Sequence, residues 1–325
     1  MNDLLQSIAR LHVLVVGDVL LDQYLWGDAT RISPEAPVPV VRVERDTFTV
    51  GGAGNVALNL RALGASVELA GVAGDDADGR RLRAILADSG VEFDPRLLLD
   101  GIHTIVKTRV MCRNQQLCRL DREPPPSRCG LPGEWIAHDL AGAIARADAV
   151  ILSDYAKGVV DNAMIARVRD LAGPGKLVAL DPKPRAGLAF DGLGLVTPNR
   201  AEALQLANYL PGPPDEGFPA AEICRRLHET YRSKLLAVTL GADGMLLSVG
   251  GEVSCTMPTA ARAVFDVSGA GDTVISVLAA ALAAGATPEV AARLANLAAG
   301  VVVGKVGTAT ATPEEILAYA AEVGA

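Results

Sequence analysis

The sequence predicts a three-layer α/β protein, a mainly parallel sheet covered by helices on both faces, with a small antiparallel β lid. Three observations predict it: apolar runs of strand length that alternate with amphipathic stretches, an Ala-rich and nearly all-helical part after residue 270, and two segments that break the rhythm. Residues 11–16 (Leu-His-Val-Leu-Val-Val) form an apolar run without alternation, the mark of a strand buried on both faces. Residues 56–63 then fit an amphipathic helix and 67–72 a strand. A helix over 76–89 is opened by Asp76 and Asp78 and stopped at Gly90. Further buried strands are expected at 149–152, 177–180 and 235–239, with helical segments near 160–172 and 218–232. The last helices are expected at 272–284, 288–303 and 313–323.

The first break, Tyr24–Val43, holds Trp26, Pro34, Pro37 and Pro39. The second, Thr104–Leu120, has two polar-alternating stretches around Arg113-Asn-Gln-Gln116 and reads as a hairpin. Alternating strands expose one face, so these segments, about 22–46 and 102–121, are expected to form a lid over a single domain of residues 1–325. An exposed apolar lid face would pair with a second copy, which points to a homodimer. Loops are expected at Pro124–Gly133 and Pro211–Phe218.

Half of the 325 residues are hydrophobic, enough for a large core. There is no uncharged apolar stretch of about 18 residues and no basic leader at Met1-Asn-Asp-Leu-Leu-Gln, which predicts a soluble, cytoplasmic protein with no membrane partner. The five cysteines, at 112, 118, 129, 224 and 255, show no CxxC spacing and fit reduced thiols. Net charge is −8 and the Lys and Arg residues are scattered, which argues against a nucleic-acid partner.

Asp266-Val-Ser-Gly-Ala-Gly-Asp-Thr273 is the strongest chemical signal. A glycine turn at the mouth of an apolar helix leaves the amides of Ser268, Gly269, Ala270 and Gly271 able to point at one anion, a phosphate. Asp272 beside that anion could take a proton from a hydroxyl attacking the phosphate. The same residues could also be a tight turn and a carboxylate that complements the helix dipole.

Gly51-Gly-Ala-Gly-Asn-Val-Ala57 is a second glycine turn running into a helix. Gly52 would let a sugar approach the bare backbone, while Asn55 hydrogen-bonds its hydroxyls. The segment also fits G-x-G-x-x-A, with Asp75 and Asp76 near the expected acidic position, so an NAD-type turn competes. Against it, the turn follows a Pro-rich segment rather than the first strand. Asn199 and Glu202, in Thr197-Pro-Asn-Arg-Ala-Glu202, have the spacing of a capping box. Thr239-Leu-Gly-Ala-Asp-Gly244 fits a hairpin turn. No G-x-x-x-x-G-K-[ST] is present, so a P-loop mechanism has no support.

Both glycine segments, intact and in order, resemble the two signatures of the ribokinase-like carbohydrate kinases, and the resemblance spans nearly the whole chain. It implies a ribokinase-like fold, Asp272 as catalytic base, the Ser268–Gly271 turn as anion hole, and sugar contacts from Asp18, Gly52 and Asn55. It places Asn199 and Glu202 by Mg²⁺ and the ATP phosphates, and Thr239, Gly241, Gly244 and Asn296 on the ATP site; K⁺ is a second ion to be tested. Gly17-Asp-Val-Leu-Leu-Asp-Gln-Tyr24, Arg31-Ile-Ser-Pro-Glu-Ala-Pro-Val-Pro-Val40 and Ser153-Asp-Tyr-Ala-Lys-Gly158 look like the bacterial D-glycero-β-D-manno-heptose-7-phosphate kinases of lipopolysaccharide core synthesis.

That resemblance implies transfer from ATP to the anomeric C1 hydroxyl of the heptose 7-phosphate. The existing phosphate then needs cations, for which Lys157 and Arg109 are the candidates. No H-x-G-H motif is present, so a stand-alone kinase served by a separate adenylyltransferase is expected. A fructokinase- or ribokinase-type enzyme, a non-catalytic sugar or nucleotide sensor and an NAD-binding protein remain as alternatives.

Overall fold

The computed structural model describes residues 1–113, 115–210, 217–262 and 264–324, so most of the loop expected at 211–218, and Asn114 in the expected hairpin turn, lie outside the described residues. The chain opens with α1 (Asn2–Ile8) and β1 (His12–Gly17), followed by two 14-residue strands, β2 (Val19–Ile32) and β3 (Pro39–Gly52). Helix α2 (Ala53–Ala62), β4 (Ser66–Ala70), β5 (Ala73–Gly74) and α3 (Ala77–Asp88) come next. The short β6 (Glu92–Phe93) and β7 (Leu98–Leu99) lead to the hairpin of β8 (Val106–Cys112) and β9 (Gln115–Arg122). Helices α4 (Gly133–His138) and α5 (Leu140–Arg146) precede β10 (Ala149–Ser153), α6 (Asn162–Ala172) and β11 (Leu177–Asp181). Then come β12 (Leu195–Val196), α7 (Arg200–Leu206), α8 (Ala220–Tyr231) and the hairpin-linked β13 (Leu235–Thr239), β14 (Met245–Val249) and β15 (Glu252–Met257). Helices α9 (Ala270–Ala283), α10 (Pro288–Val302) and α11 (Pro313–Val323) close the chain.

The helix ends follow local chemistry. Asp76 caps α3 by accepting from the Gly79 amide at 2.8 Å, and Pro288 starts α10 where its missing N–H costs nothing. Thr312 and Glu315 form a capping box at α11.

Nine strands make the central sheet in the order β15-β14-β13-β12-β11-β10-β1-β4-β6, parallel except for β14, which runs antiparallel to both its neighbours. Successive side chains leave a strand on opposite faces. Val13 and Val15 therefore join one core with Ile275, Leu278 and Leu294 of α9 and α10, while Leu14 and Val16 join the other with Trp135, Ile144, Ile165 and Leu227. Two cores on one sheet are the three layers that the uninterrupted apolar runs predicted.

The second sheet, β3-β2-β8-β9, is two antiparallel hairpins joined by a parallel pairing of β2 with β8. Its strands are longer than the prolines suggest, because the exposed prolines fall at the hairpin tip and Pro39 begins β3, where a missing N–H is tolerated. The inner half of β2 is core, with Leu20, Leu21 and Tyr24 buried, and its outer half is open to solvent.

Candidate active site

The parallel strands deliver their C-terminal ends to one crevice, as the geometry of an open α/β sheet requires. Asp18 follows β1, Asp154 and Tyr155 follow β10, Asp181 ends β11, Asn199 follows β12 and Thr239 ends β13. The N-terminus of α9 faces them. A cavity of about 160 Å³ is lined by Tyr155, Asp181, Asn199, Glu202, Gly271 and Asp272.

Asp272 is 3% exposed. Its Oδ2 accepts from Asn55 Nδ2 at 2.7 Å and its Oδ1 accepts from the Tyr155 hydroxyl at 2.6 Å. Burial pushes its carboxyl up to about 6, against the two donors, which favour the ionised form. A base poised near neutrality is suited to taking a proton from an alcohol. Asn55 is itself held, because Asn59 Nδ2 donates to its carbonyl at 2.9 Å and Thr273 donates to Asn59 Oδ1 at 2.9 Å. Deprotonated Asp272 thus rests on a hydrogen-bonded seam between α2 and α9.

Gly269 caps α9 in the left-handed region, with φ 79°. A Cβ there would stand 2.6 Å from Asn55 Nδ2, so the turn needs glycine twice over. The expected four-amide anion hole is reduced by the fold: the Ser268 amide donates to Asp266 at 2.9 Å and the Ala270 amide to the Val267 carbonyl at 3.2 Å. Among the described residues, the Gly269 and Gly271 amides have no internal acceptor and are the ones left for an anion.

Beside this turn lies a cavity of about 830 Å³, mostly apolar, lined by Leu204, Leu240, Met245, Val274 and Val303. Asn199, Thr239 and Gly271 line both cavities, so the two adjoin at the α9 mouth. Gly241 and Gly244 shape its far wall through positive φ angles of 65° and 91°. Asn199 and Glu202 close a capping box, Glu202 accepting from the Asn199 amide at 2.9 Å, and Lys183 donates to Glu202 at 3.1 Å. Asn296 lines the wall and ties α10 to the 258–260 strap, donating to the Pro258 carbonyl at 2.7 Å and accepting from the Ala260 amide at 3.2 Å.

Asp18 Oδ2 accepts from the Tyr155 and Lys157 amides and its Oδ1 from the Val159 amide, all at 2.9 Å, so this carboxylate clamps the 155–159 loop. Gly52, at φ 61°, is required because a Cβ would stand 2.3 Å from the Asp18 carbonyl, and Gly51 because one would meet Asp22 at 2.4 Å. These close approaches explain the glycines without a dinucleotide, and Asp76, expected near an NAD ribose, is committed to the cap of α3. Arg109, expected beside the acceptor's phosphate, pairs with the buried Asp22 and lies over the Tyr24 ring. Lys157 pairs with Glu123 at 2.6 Å, and Lys107 reaches the same carboxylate at 3.0 Å.

Tyr155, Asp181, Asp22, Asn59 and Lys107 were not singled out as site residues from the sequence. Tyr155 lies in the Ser153–Gly158 segment, but nothing local signals its bond to Asp272. Asp181 is held well above the usual carboxylate range, by burial and then by the charges of Asp272 and Glu202; the Thr197 hydroxyl donates to it at 3.2 Å. Among the described residues, no group of three or more His, Cys, Asp or Glu side chains is placed to hold a metal ion by itself.

Among the described residues, no helix is long and apolar enough to cross a membrane. Residues 10–315 match the pfkB family carbohydrate kinases. The chain is 44% identical over 312 residues to the bifunctional protein HldE of Magnetococcus marinus, covering 94% of this chain and 63% of that protein. It is 45% identical over 329 residues to that of a Caulobacter species, covering 98% and 66%. It therefore spans just under two thirds of these relatives' length. An Arabidopsis thaliana ribokinase complexed with ribose and ATP superposes with a TM-score of 0.73 at 21% identity over 95% of this chain and 98% of that one. Escherichia coli phosphofructokinase-2 in complex with potassium gives 0.75 at 20% identity over 97% and 99%. These solved structures show the ribokinase-like fold. With the family match running through both glycine turns and the crevice between them, the chain belongs to the pfkB family of carbohydrate kinases and is a sugar kinase.

Proposed function

We propose that the protein transfers the γ-phosphoryl group of ATP to the anomeric C1 hydroxyl of D-glycero-β-D-manno-heptose 7-phosphate, giving the 1,7-bisphosphate and ADP. The observation that carries phosphoryl transfer to an alcohol is Asp272, a buried carboxylate with a pKa of about 6, set beside the two free amides at the α9 mouth. The heptose assignment rests on the 17–24, 31–40 and 153–158 segments and their resemblance. A second support is the cluster of Lys107, Lys157 and Arg119 with Glu123 and Asp121, in which Lys107 pairs with both carboxylates and three cations face two anions, leaving one positive charge for a phosphate.

In this reading ATP lies in the larger cavity, its base against Leu240, Val274 and Val303 and its γ-phosphate at the Gly269 and Gly271 amides. The acceptor lies between Asn55 and the Lys107–Lys157 cluster, under the β2–β3 and β8–β9 sheet, which closes as a lid. Asp272 takes the C1 proton, the oxygen bonds to the γ-phosphorus in line, and ADP leaves. Mg²⁺ fits the carboxylates of Asp181 and Glu202, with Asn199 adjacent, and when bound it would neutralise charge on the transferring phosphoryl group. Exposed Ile32, Val38, Val43, Leu117 and Leu120 on the lid sheet support pairing with a second copy. Adenylylation later in the pathway would need a second active site.

The test is ADP release from Mg-ATP with the heptose 7-phosphate against unphosphorylated heptose, fructose and ribose. Turnover confined to the heptose phosphate supports the proposal. Turnover with an unphosphorylated sugar alone would reassign the acceptor while keeping Asp272 as base.

A further inference from the structure

Both carboxylate oxygens of Asp272 already accept a hydrogen bond before any sugar arrives. Asn55 covers one oxygen and Tyr155 the other, and the side chain has almost no contact with solvent. The two donors are chemically different. Asn55 offers an amide. Tyr155 offers a hydroxyl O–H, donated to Oδ1 at 2.6 Å, which is the hydrogen bond an alcohol must make before it surrenders its proton. The phenol does not surrender its own: burial, and then the charge of Asp272, hold its pKa well above the ordinary tyrosine range. It is a hydroxyl that can occupy the base without reacting.

Tyr155 lines the 160 Å³ cavity together with Asp272, Gly269 and Gly271, where the acceptor oxygen and the transferring phosphoryl group must meet. Its backbone is tightly held. Asp18 takes the amides of residues 155, 157 and 159, Asp154 accepts from the Ala156 amide at 2.8 Å, and Arg185 pairs with Asp154. Ala156 sits at φ 56°, a left-handed conformation unusual for a residue with a Cβ and sustained by those bonds. With the main chain fixed, the side-chain torsions are the soft coordinates by which the phenol can leave Asp272. Two residues on, Lys157 carries one of the cations proposed for the acceptor's phosphate, so the acceptor would touch the loop that holds the phenol.

We propose that Tyr155 is an internal stand-in for the acceptor: in the sugar-free protein its phenol occupies the position on Asp272 Oδ1 that the sugar hydroxyl takes during the reaction, and so keeps the base from activating water. Without it, a water at that position would pass its proton to Asp272 as its oxygen bonds the γ-phosphorus and the bond to ADP breaks, giving phosphate and ADP. The inference rests on Asp272 being the base of a kinase, which acceptor-driven turnover of the unaltered protein tests separately.

The experiment compares ADP release from Mg-ATP, with and without heptose 7-phosphate, in the full chain and in Tyr155→Phe. The ratio of sugar-free to sugar-driven turnover should rise about tenfold or more, the scale of losing one hydrogen bond to an ionised group. A ratio that stays the same or falls overturns the proposal. A second measurement needs no variant: in a crystal structure of the unaltered protein with heptose 7-phosphate bound, the Tyr155 oxygen should lie beyond roughly 3.5 Å from Asp272 Oδ1. An unbroken bond there would equally overturn it.

Discussion

Asn55 and Asp272, 217 residues apart in sequence, meet across the α2–α9 interface with Nδ2 2.7 Å from Oδ2. Each belongs to one of the two glycine-turn helices, and Ser276 extends the seam by donating to the Asp272 carbonyl at 2.6 Å, one turn back on α9, close to the Val56 carbonyl of α2 at 3.1 Å. The two glycine turns are therefore one hydrogen-bonded unit, and the Asp272 carboxylate sits at its centre.

Asp272→Asn keeps the shape and removes the base. Turnover should fall by about 10²–10⁴ while ATP affinity changes little. Steady-state kinetics and calorimetric titration with ATP check both halves, and near-normal turnover would remove Asp272 from the chemistry.

The acceptor kcat/KM should fall below pH 6 and level off above it, because the carboxyl raised to about 6 must be ionised to accept a proton. The stability sign is the opposite. A carboxyl whose folded pKa lies above its ordinary 3.8 contributes stability that is fully present below 3.8 and is lost as pH rises through 6. Asp272→Asn should then gain in thermal midpoint relative to the unaltered protein as pH rises from 4 to 7. A rate profile flat down to pH 5 would contradict the assignment.

Arg109→Met strands the carboxylate of Asp22, whose side chain is 3% exposed, without its partner. The expected loss is about 3–5 kcal/mol of unfolding free energy. Urea denaturation measures it, and adding Asp22→Asn should recover most of it. If the single variant is as stable as the parent, Arg109 is not the counter-ion described here.

Gly244→Ala places a Cβ 2.0 Å from the Met257 carbonyl, at φ 91°. The hairpin wall of the larger cavity must shift, at roughly 1–3 kcal/mol. The KM for ATP should rise more than the KM for the acceptor. Equal effects on both would detach this wall from the nucleotide.

Layers, helix caps and the two glycine turns were legible in the sequence because each is a local pattern: an uninterrupted apolar run, an acid three residues before an amide, a glycine where φ is positive. The lid was legible as a break in rhythm, but its strand lengths were not. The prolines that interrupt residues 34–39 fall at the tip of a hairpin whose 14-residue arms pair around them.

By itself, then, the sequence determined the α/β layering, the helix-mouth carboxylate and the resemblance to sugar kinases. Tertiary structure alone decided which groups are already spoken for. Asp18 accepts from amides up to 141 residues away and Arg109 pairs with Asp22, while Tyr155 reaches Asp272 from 117 residues away. A polar group in a low-dielectric crevice must find a partner or pay for being without one. The partner comes from whichever strand end the sheet brings near, and no periodicity along the chain encodes that choice.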